Sequence, residues 1–320
     1  MKIILSLLAS LLFAGQCFAA GNTLPLTGAG LSGSAASSYV GPGDAVSGAL
    51  AFYSCQRAYN AAYANGSNAG CNIRRASDSH ACDVLITPSG TWGNTGNCGT
   101  SGDNGLSPAA FCNATSCFVT QMYDQTGTGN PVAQATAGNQ PALAFSCVGT
   151  SGCVQPGASA TLTSANHLNV ASGQTVSWVG ERTSNTTTIM TAAACEGNAN
   201  QTGFNSAANQ TFIFATSSVL SQSANDNVWH AVQYGNTNAG ATGSVNVDGT
   251  YTSGLSPGTH VCITGNSPGI SVFSGNNNFS SGANYTEAIF YGSALSSANM
   301  TSLCRNQQAY YGSGNFGAAC

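Results

Sequence analysis

Charge is what this chain has least of: Asp, Glu, Lys and Arg together make up 5% of its 320 residues, and lysine occurs once, at Lys2. Beyond it stand five arginines against ten acids, a net charge of −5. No basic stripe is present to track phosphates, so nucleic acid is excluded as a partner. Long apolar runs are equally scarce. Ile3 to Phe13 is shorter than the roughly 20 residues a membrane helix needs, and no membrane insertion is expected. The cysteines form no C-x-x-C pair, which argues against zinc. No G-x-S-x-G elbow, H-E-x-x-H or P-loop occurs, and His80, His167, His230 and His260 stand singly. Neither a metal nor a cofactor is expected.

What is present begins with an export signal. Lys2, the apolar run and the small residues around Ala19-Ala20 match a charged, an apolar and a cleavage region, so residues 1–19 read as a signal peptide. A lipid anchor on Cys17 is the rival reading, disfavoured by Gln16, where such sites want a small residue. Of the 13 cysteines, 12 lie beyond this segment. An even number in an exported chain favours disulfides over free thiols. Gly, Ser, Thr and Asn carry the solubility instead of charge, a composition suited to short strands, many turns and a secreted surface that meets neutral sugars. Sequons fall at Asn65, Asn113, Asn185, Asn209, Asn278, Asn284 and Asn299.

Residues 20–43, rich in Gly, Ser and Ala, read as an extended lead-in, and 44–320 as one domain. The spacing of Val46, Leu50, Tyr53 and Ala61 predicts a helix from Asp44 to Ala64, with Asp44 as N-cap. From Cys71 to Cys117, bridges rather than a core are expected to hold the chain, around one strand near Asp83 to Thr87. From Phe118 on, short β-branched and aromatic runs recur: Phe118–Tyr123, Ala142–Val148, Thr175–Val179, Thr186–Met190, Thr211–Ala215, Val228–Tyr234, Ser244–Val247, Ile270–Phe273 and Tyr285–Tyr291. Such regular spacing predicts an antiparallel sandwich. A closing helix is expected after Ser296, burying Met300, Leu303, Cys304 and Gln307 and stopping at Gly312.

Two strings carry resemblances. Trp229-His230-Ala231-Val232 followed by Val247-Asp248-Gly249, with Tyr285 to Ser296 at the end, resembles the hairpin and last strand of concanavalin A and laminin G domains. That implies an all-β, concanavalin A-like (jelly-roll) β-sandwich with a few short helices and several disulfides, with Trp229 and His230 as packing residues and Glu287 as structural. Upstream, Cys112 to Cys117 and Tyr123-Asp124-Gln125-Thr126-Gly127-Thr128-Gly129-Asn130, preceded by Gln56-Arg57, resembles the catalytic domain of α-L-arabinofuranosidase B. The resemblance implies a Cys112–Cys117 bridge, a polysaccharide or glycan as partner, and removal of terminal arabinofuranosyl groups from arabinan or arabinoxylan.

That chemistry needs a nucleophilic carboxylate and an acid/base carboxyl about 5 Å apart. The family's acid/base string is matched best by Ser274-Gly275-Asn276-Asn277, which sets an amide at Asn276, and an amide cannot donate and recover a proton as a carboxyl does. The nucleophile's segment has no acidic match between Gly197 and Asn225. Glu181, at a strand end, and Glu196, beside Cys195, are therefore the candidates for a relocated catalytic pair, with Asn276 and Asn277 as substrate-binding residues. The alternative is a non-catalytic lectin-like or adhesion protein on the same scaffold.

Overall fold

The computed structural model describes residues 39–157, 159–164, 166, 168, 173–183, 188–191, 201–205, 210–214, 218–223, 227–237, 242–256, 270–274 and 283–320. Its architecture is a two-sheet antiparallel sandwich backed by one long helix. The first sheet runs, edge to edge, Ala49–Ser54, Ala283–Tyr291, Gln174–Arg182, Trp229–Asn236, Gly243–Val247 and Thr250–Leu255. The second joins Trp92–Gly96, Ala81–Ile86, Ala69–Arg75, Cys117–Met122, Ala142–Val148 and Ser151–Gln155. A further ladder links Thr188–Thr191, Gln201–Asn205, Gln210–Phe214 and Ser218–Ser223.

Alternation along the strands explains the layering. Val176 and Trp178 of Gln174–Arg182 face the inter-sheet core, together with Tyr53, Val232, Val245 and Phe290 of the same sheet and Ile73, Val84, Val119 and Met122 of the other. Between them lie Thr175, Ser177 and Val179, directed to the opposite face. There Val179, Trp229 and Ala231 meet Cys304, Tyr311 and Phe316. Both middle strands, Gln174–Arg182 and Trp229–Asn236, are buried on two faces, and the helix-side face carries buried polar groups such as Thr175, Ser177 and Gln233.

The last helix, Ser297–Tyr311, starts where the Ser296 hydroxyl accepts from the Asn299 N–H at 3.3 Å, and it buries Met300, Leu303, Cys304 and Gln307. It ends at Gly312, whose φ of 86° a side chain would strain. The hairpin of Trp229–Asn236 and Gly243–Val247 is followed by a two-residue turn at Asp248-Gly249, with φ of 46° and 83°. Positive φ at both positions is the type I′ pattern that suits the sheet's twist.

Two expectations are corrected. The segment from Asp44 is not a helix: one turn, Pro42–Ala45, leads into the strand Ala49–Ser54. Asp44 sits in that turn, accepting from the Gly41 and Ala61 amides at 2.9 Å each. A strand buried on both faces has no period-2 alternation, so a chance helical spacing stood out in its place. Nor is Cys71 to Cys117 held by bridges alone. It contributes three strands, and Cys71, Ile73, Cys82 and Val84 are fully buried in the main core. Half-cystines do there what branched aliphatics do elsewhere.

Among the described residues five disulfides join Cys55 to Cys71, Cys82 to Cys98, Cys112 to Cys117, Cys147 to Cys153 and Cys304 to Cys320. The last of these ties the helix to the chain end. No helix among the described residues is long and apolar enough to cross a membrane.

Trp229 is buried among Val179, Cys304, Tyr311 and Phe316. Trp229→Ala is expected to destabilise the fold by about 3 kcal/mol, the lower end for truncating a large core aromatic. Urea unfolding at fixed pH measures it. An unchanged midpoint together with lost glycan binding would make Trp229 a ligand contact instead.

Candidate functional site

The Tyr123 to Asn130 string, the most distinctive in the sequence, is a structural clasp. The Asp124 carboxylate accepts from the backbone N–H of Phe52, Thr126 and Asn130 and from the hydroxyls of Thr126 and Thr128, at 2.6 to 3.3 Å. Gln125, buried, accepts from the Tyr59 N–H at 2.9 Å and donates to the carbonyls of Ser54 and Arg57 at 2.9 and 3.2 Å. One loop thereby satisfies backbone groups that the Ala49–Ser54 strand leaves unpaired where it ends.

The preceding Gln56-Arg57 pair is equally structural. Arg57, wholly buried, meets Glu287 at 3.3 Å and Asn306 at 2.6 Å, and its guanidinium lies 4.3 Å from the centroid of the Tyr310 ring. Glu287 also accepts from Gln307 and from the Tyr311 hydroxyl, both at 2.9 Å. Burial alone would lower the Arg57 pKa, but the Glu287 carboxylate carries it above its usual value. Gln307 extends the network to Ser177 and Gln233, which in turn accepts from Asn246. His230 and Asp248 form a second buried pair, 2.6 Å apart, and Asp248 also accepts from the Ala231 N–H at 2.8 Å.

The other described carboxylates sort in the same way. Asp78 and Asp103 pair with Arg75 at 2.8 and 3.2 Å. A backbone N–H from His80 and the Arg75 charge hold Asp78 below the usual carboxylate range. Asp83 accepts from two asparagine amides and a tyrosine hydroxyl.

Glu181 differs. It lies near the end of the Gln174–Arg182 strand, half-buried, opposite Asn284 in the neighbouring strand. It accepts from a neutral amide, Asn284 Nδ2, at 2.7 Å, and Asn284 in turn accepts from Gln155 at 3.1 Å. Burial pushes its pKa up against the weaker pull of that amide. A carboxyl shifted in this sense holds its proton to a higher pH than a free glutamate, the direction a general acid needs. The same geometry seals the Asn284 sequon, since that side chain is buried within a strand.

Glu196, Asn276 and Asn277 lie outside the described residues, as do His167, His260 and Asp226. Among the described residues no group of three or more His, Cys, Asp or Glu is placed to hold a metal ion. Sequence reasoning set Glu181 at a strand end but did not foresee Asn284 as its partner, because the register between strands about 100 residues apart is not written in either strand alone.

The fold and these contacts define a disulfide-bonded jelly-roll sandwich with polar networks sealed beneath its helix. No protein-family model matches the chain, and no curated protein matches its sequence. Solved structures do match. A GH54 α-L-arabinofuranosidase soaked with a cyclic sulfate inhibitor covers 83% of the chain at 15% identity and a TM-score of 0.59. An arabinofuranosidase complexed with arabinofuranosyl-α-1,2-xylobiose covers the same share at 16% identity and a TM-score of 0.58. The chain spans 64% of the length of each. The fold is thus of the arabinofuranosidase B type.

Proposed function

We propose that this chain is an exported carbohydrate-active protein that recognises arabinose-bearing polysaccharide. The observation that carries the reading is the fold shared with the GH54 enzymes over 83% of the chain. The N-terminal segment with the features of a signal peptide and the five bridges among the described residues support export. Amides, hydroxyls and tyrosines dominate over charge, which suits neutral sugars. Affinity electrophoresis of the full chain tests it: gels containing branched arabinan or arabinoxylan are expected to retard migration relative to a plain gel. Equal mobility in all three overturns the reading.

A second reading, arabinofuranoside hydrolysis, is favoured by the raised pKa of Glu181. In it Glu181 is the acid/base, Glu196 the partner carboxylate, and Asn276 and Asn277 hold substrate. The first reading is preferred because Asn276 stands where the family sets a carboxyl, and recognition needs no second carboxylate.

A further inference from the structure

The second sheet carries a cleft of about 390 Å³ lined by Tyr63, Ser67, Asn68, Asp83, Asn97 and Tyr123, apart from the Glu181–Asn284 contact. Its volume lies in the range of small-molecule sites. Asp83 is its polar centre, and only 8% of it is exposed. Strand register sets Asn72 directly across from Asp83, and Asn97 follows the Trp92–Gly96 strand on the other side. The carboxylate accepts from Asn72 Nδ2 at 3.0 Å, Asn97 Nδ2 at 3.0 Å and the Tyr123 hydroxyl at 2.6 Å. Behind them the Thr120 hydroxyl donates to Asn72 Oδ1 at 2.6 Å, which orients that amide toward Asp83. Asn97 holds its position at a φ of 51°, a conformation asparagine tolerates better than most residues.

Two carboxylate oxygens offer about four acceptor positions, and the three donors leave one unspent. The Tyr123 oxygen, having donated its proton, keeps lone pairs of its own. Burial and the Asp83 bond push the Tyr123 hydroxyl pKa up, and burial pushes that of Tyr63 up to about 12, so both stay protonated at neutral pH. Tyr63 is anchored by its hydroxyl to the Ala69 carbonyl at 2.7 Å. The cleft therefore presents a fixed acceptor, amides and two tyrosines, with no arginine or lysine in its lining. That set fits a donor-rich neutral polyol. Asp83 and Asp124 would repel an acidic one.

We infer that this cleft binds one neutral sugar residue of a polysaccharide, with Asp83 accepting from a sugar hydroxyl. The inference rests on the proposed role in glycan recognition and assigns that role a place. Affinity electrophoresis of the full chain against branched arabinan, arabinoxylan and galactan, with polygalacturonate as the acidic comparison, tests it. Tyr123→Phe and Asp83→Asn alter the acceptor network. Ser67→Leu fills the exposed rim without touching it, and thermal unfolding of each variant checks the fold.

Asp83→Asn is expected to weaken binding of the neutral polysaccharides about tenfold, in line with loss of one charged hydrogen bond. Tyr123→Phe, by freeing the Asp83 carboxylate from its fixed position, and Ser67→Leu, by filling the rim, are expected to weaken it comparably. The Ser67→Leu melting temperature should match the wild type, and polygalacturonate should not bind. Neutral-polysaccharide binding that persists unchanged in Ser67→Leu overturns the inference while leaving the proposed function standing. Preference for polygalacturonate overturns it likewise. Absence of binding to every polysaccharide by the wild type overturns both.

Discussion

Glu287→Ala is expected to destabilise the protein by about 3–5 kcal/mol. The substitution strands the Arg57 guanidinium, fully buried with Glu287, in a site that water does not reach. It also removes the acceptor of Gln307 and of the Tyr311 hydroxyl, two further buried donors. The Tyr310 ring at 4.3 Å and the Asn306 carbonyl would still face the cation but carry no full negative charge. Chemical denaturation of Glu287→Ala, Arg57→Met and the double variant Glu287→Met with Arg57→Met separates the causes. Both single variants are expected to fall well below the wild type. The double variant should recover part of the loss, because it buries no unpaired charge. Wild-type stability in Glu287→Ala would mean that water solvates Arg57 in the native state.

That pair shows how legible the sequence was and where legibility stopped. Glu287 could be read as structural from the resemblance of the final strand to concanavalin A and laminin G domains, yet nothing nearby in sequence identifies Arg57, 230 residues away, as its partner. The strands Cys117–Met122, Ala142–Val148, Gln174–Arg182, Trp229–Asn236, Gly243–Val247 and Ala283–Tyr291 were visible because β-branched and aromatic runs alternate with turn chemistry. The strands Ala49–Ser54 and Ala69–Arg75 were not. The first is buried on both faces and shows no alternation, and the second packs through Cys71 and Ile73 beside Gly70. Cysteine counted as a staple and not as a core residue hid the inner sheet between Cys71 and Cys117.

The same limit applies to chemistry. Tyr123-Asp124-Gln125 stood out as a string, and its spacing suggested importance without saying of what kind. In the structure Asp124 and Gln125 bind the backbone of the neighbouring Ala49–Ser54 strand and the loop after it, whereas the Tyr123 hydroxyl turns to Asp83.

For catalysis the decisive substitutions are Glu181→Gln, Glu196→Gln and Asn276→Asp. Turnover of an aryl α-L-arabinofuranoside by the wild type is expected to be slow, since the position matched to the family's acid is an amide and a positioned acid or base contributes about 100- to 10,000-fold. What turnover remains should fall by a similar factor in Glu181→Gln, the half-buried carboxyl whose pKa burial raises. The pH profile checks the role. An acid must be protonated to act, so kcat/KM should fall as pH rises through a pKa above the usual glutamate range, and Glu181→Gln should abolish that limb. Stability changes in the same sense. The native state holds this proton more tightly than the unfolded chain, so the contribution is complete below the unfolded pKa and is lost as pH rises through the raised one. Glu181→Gln should remove that part of the slope while leaving glycan retardation intact, because recognition by amides, hydroxyls and rings does not need the carboxyl. Asn276→Asp should gain activity by restoring a carboxyl where the resemblance sets one. Robust wild-type hydrolysis that survives both glutamine substitutions would mean that neither Glu181 nor Glu196 does the chemistry.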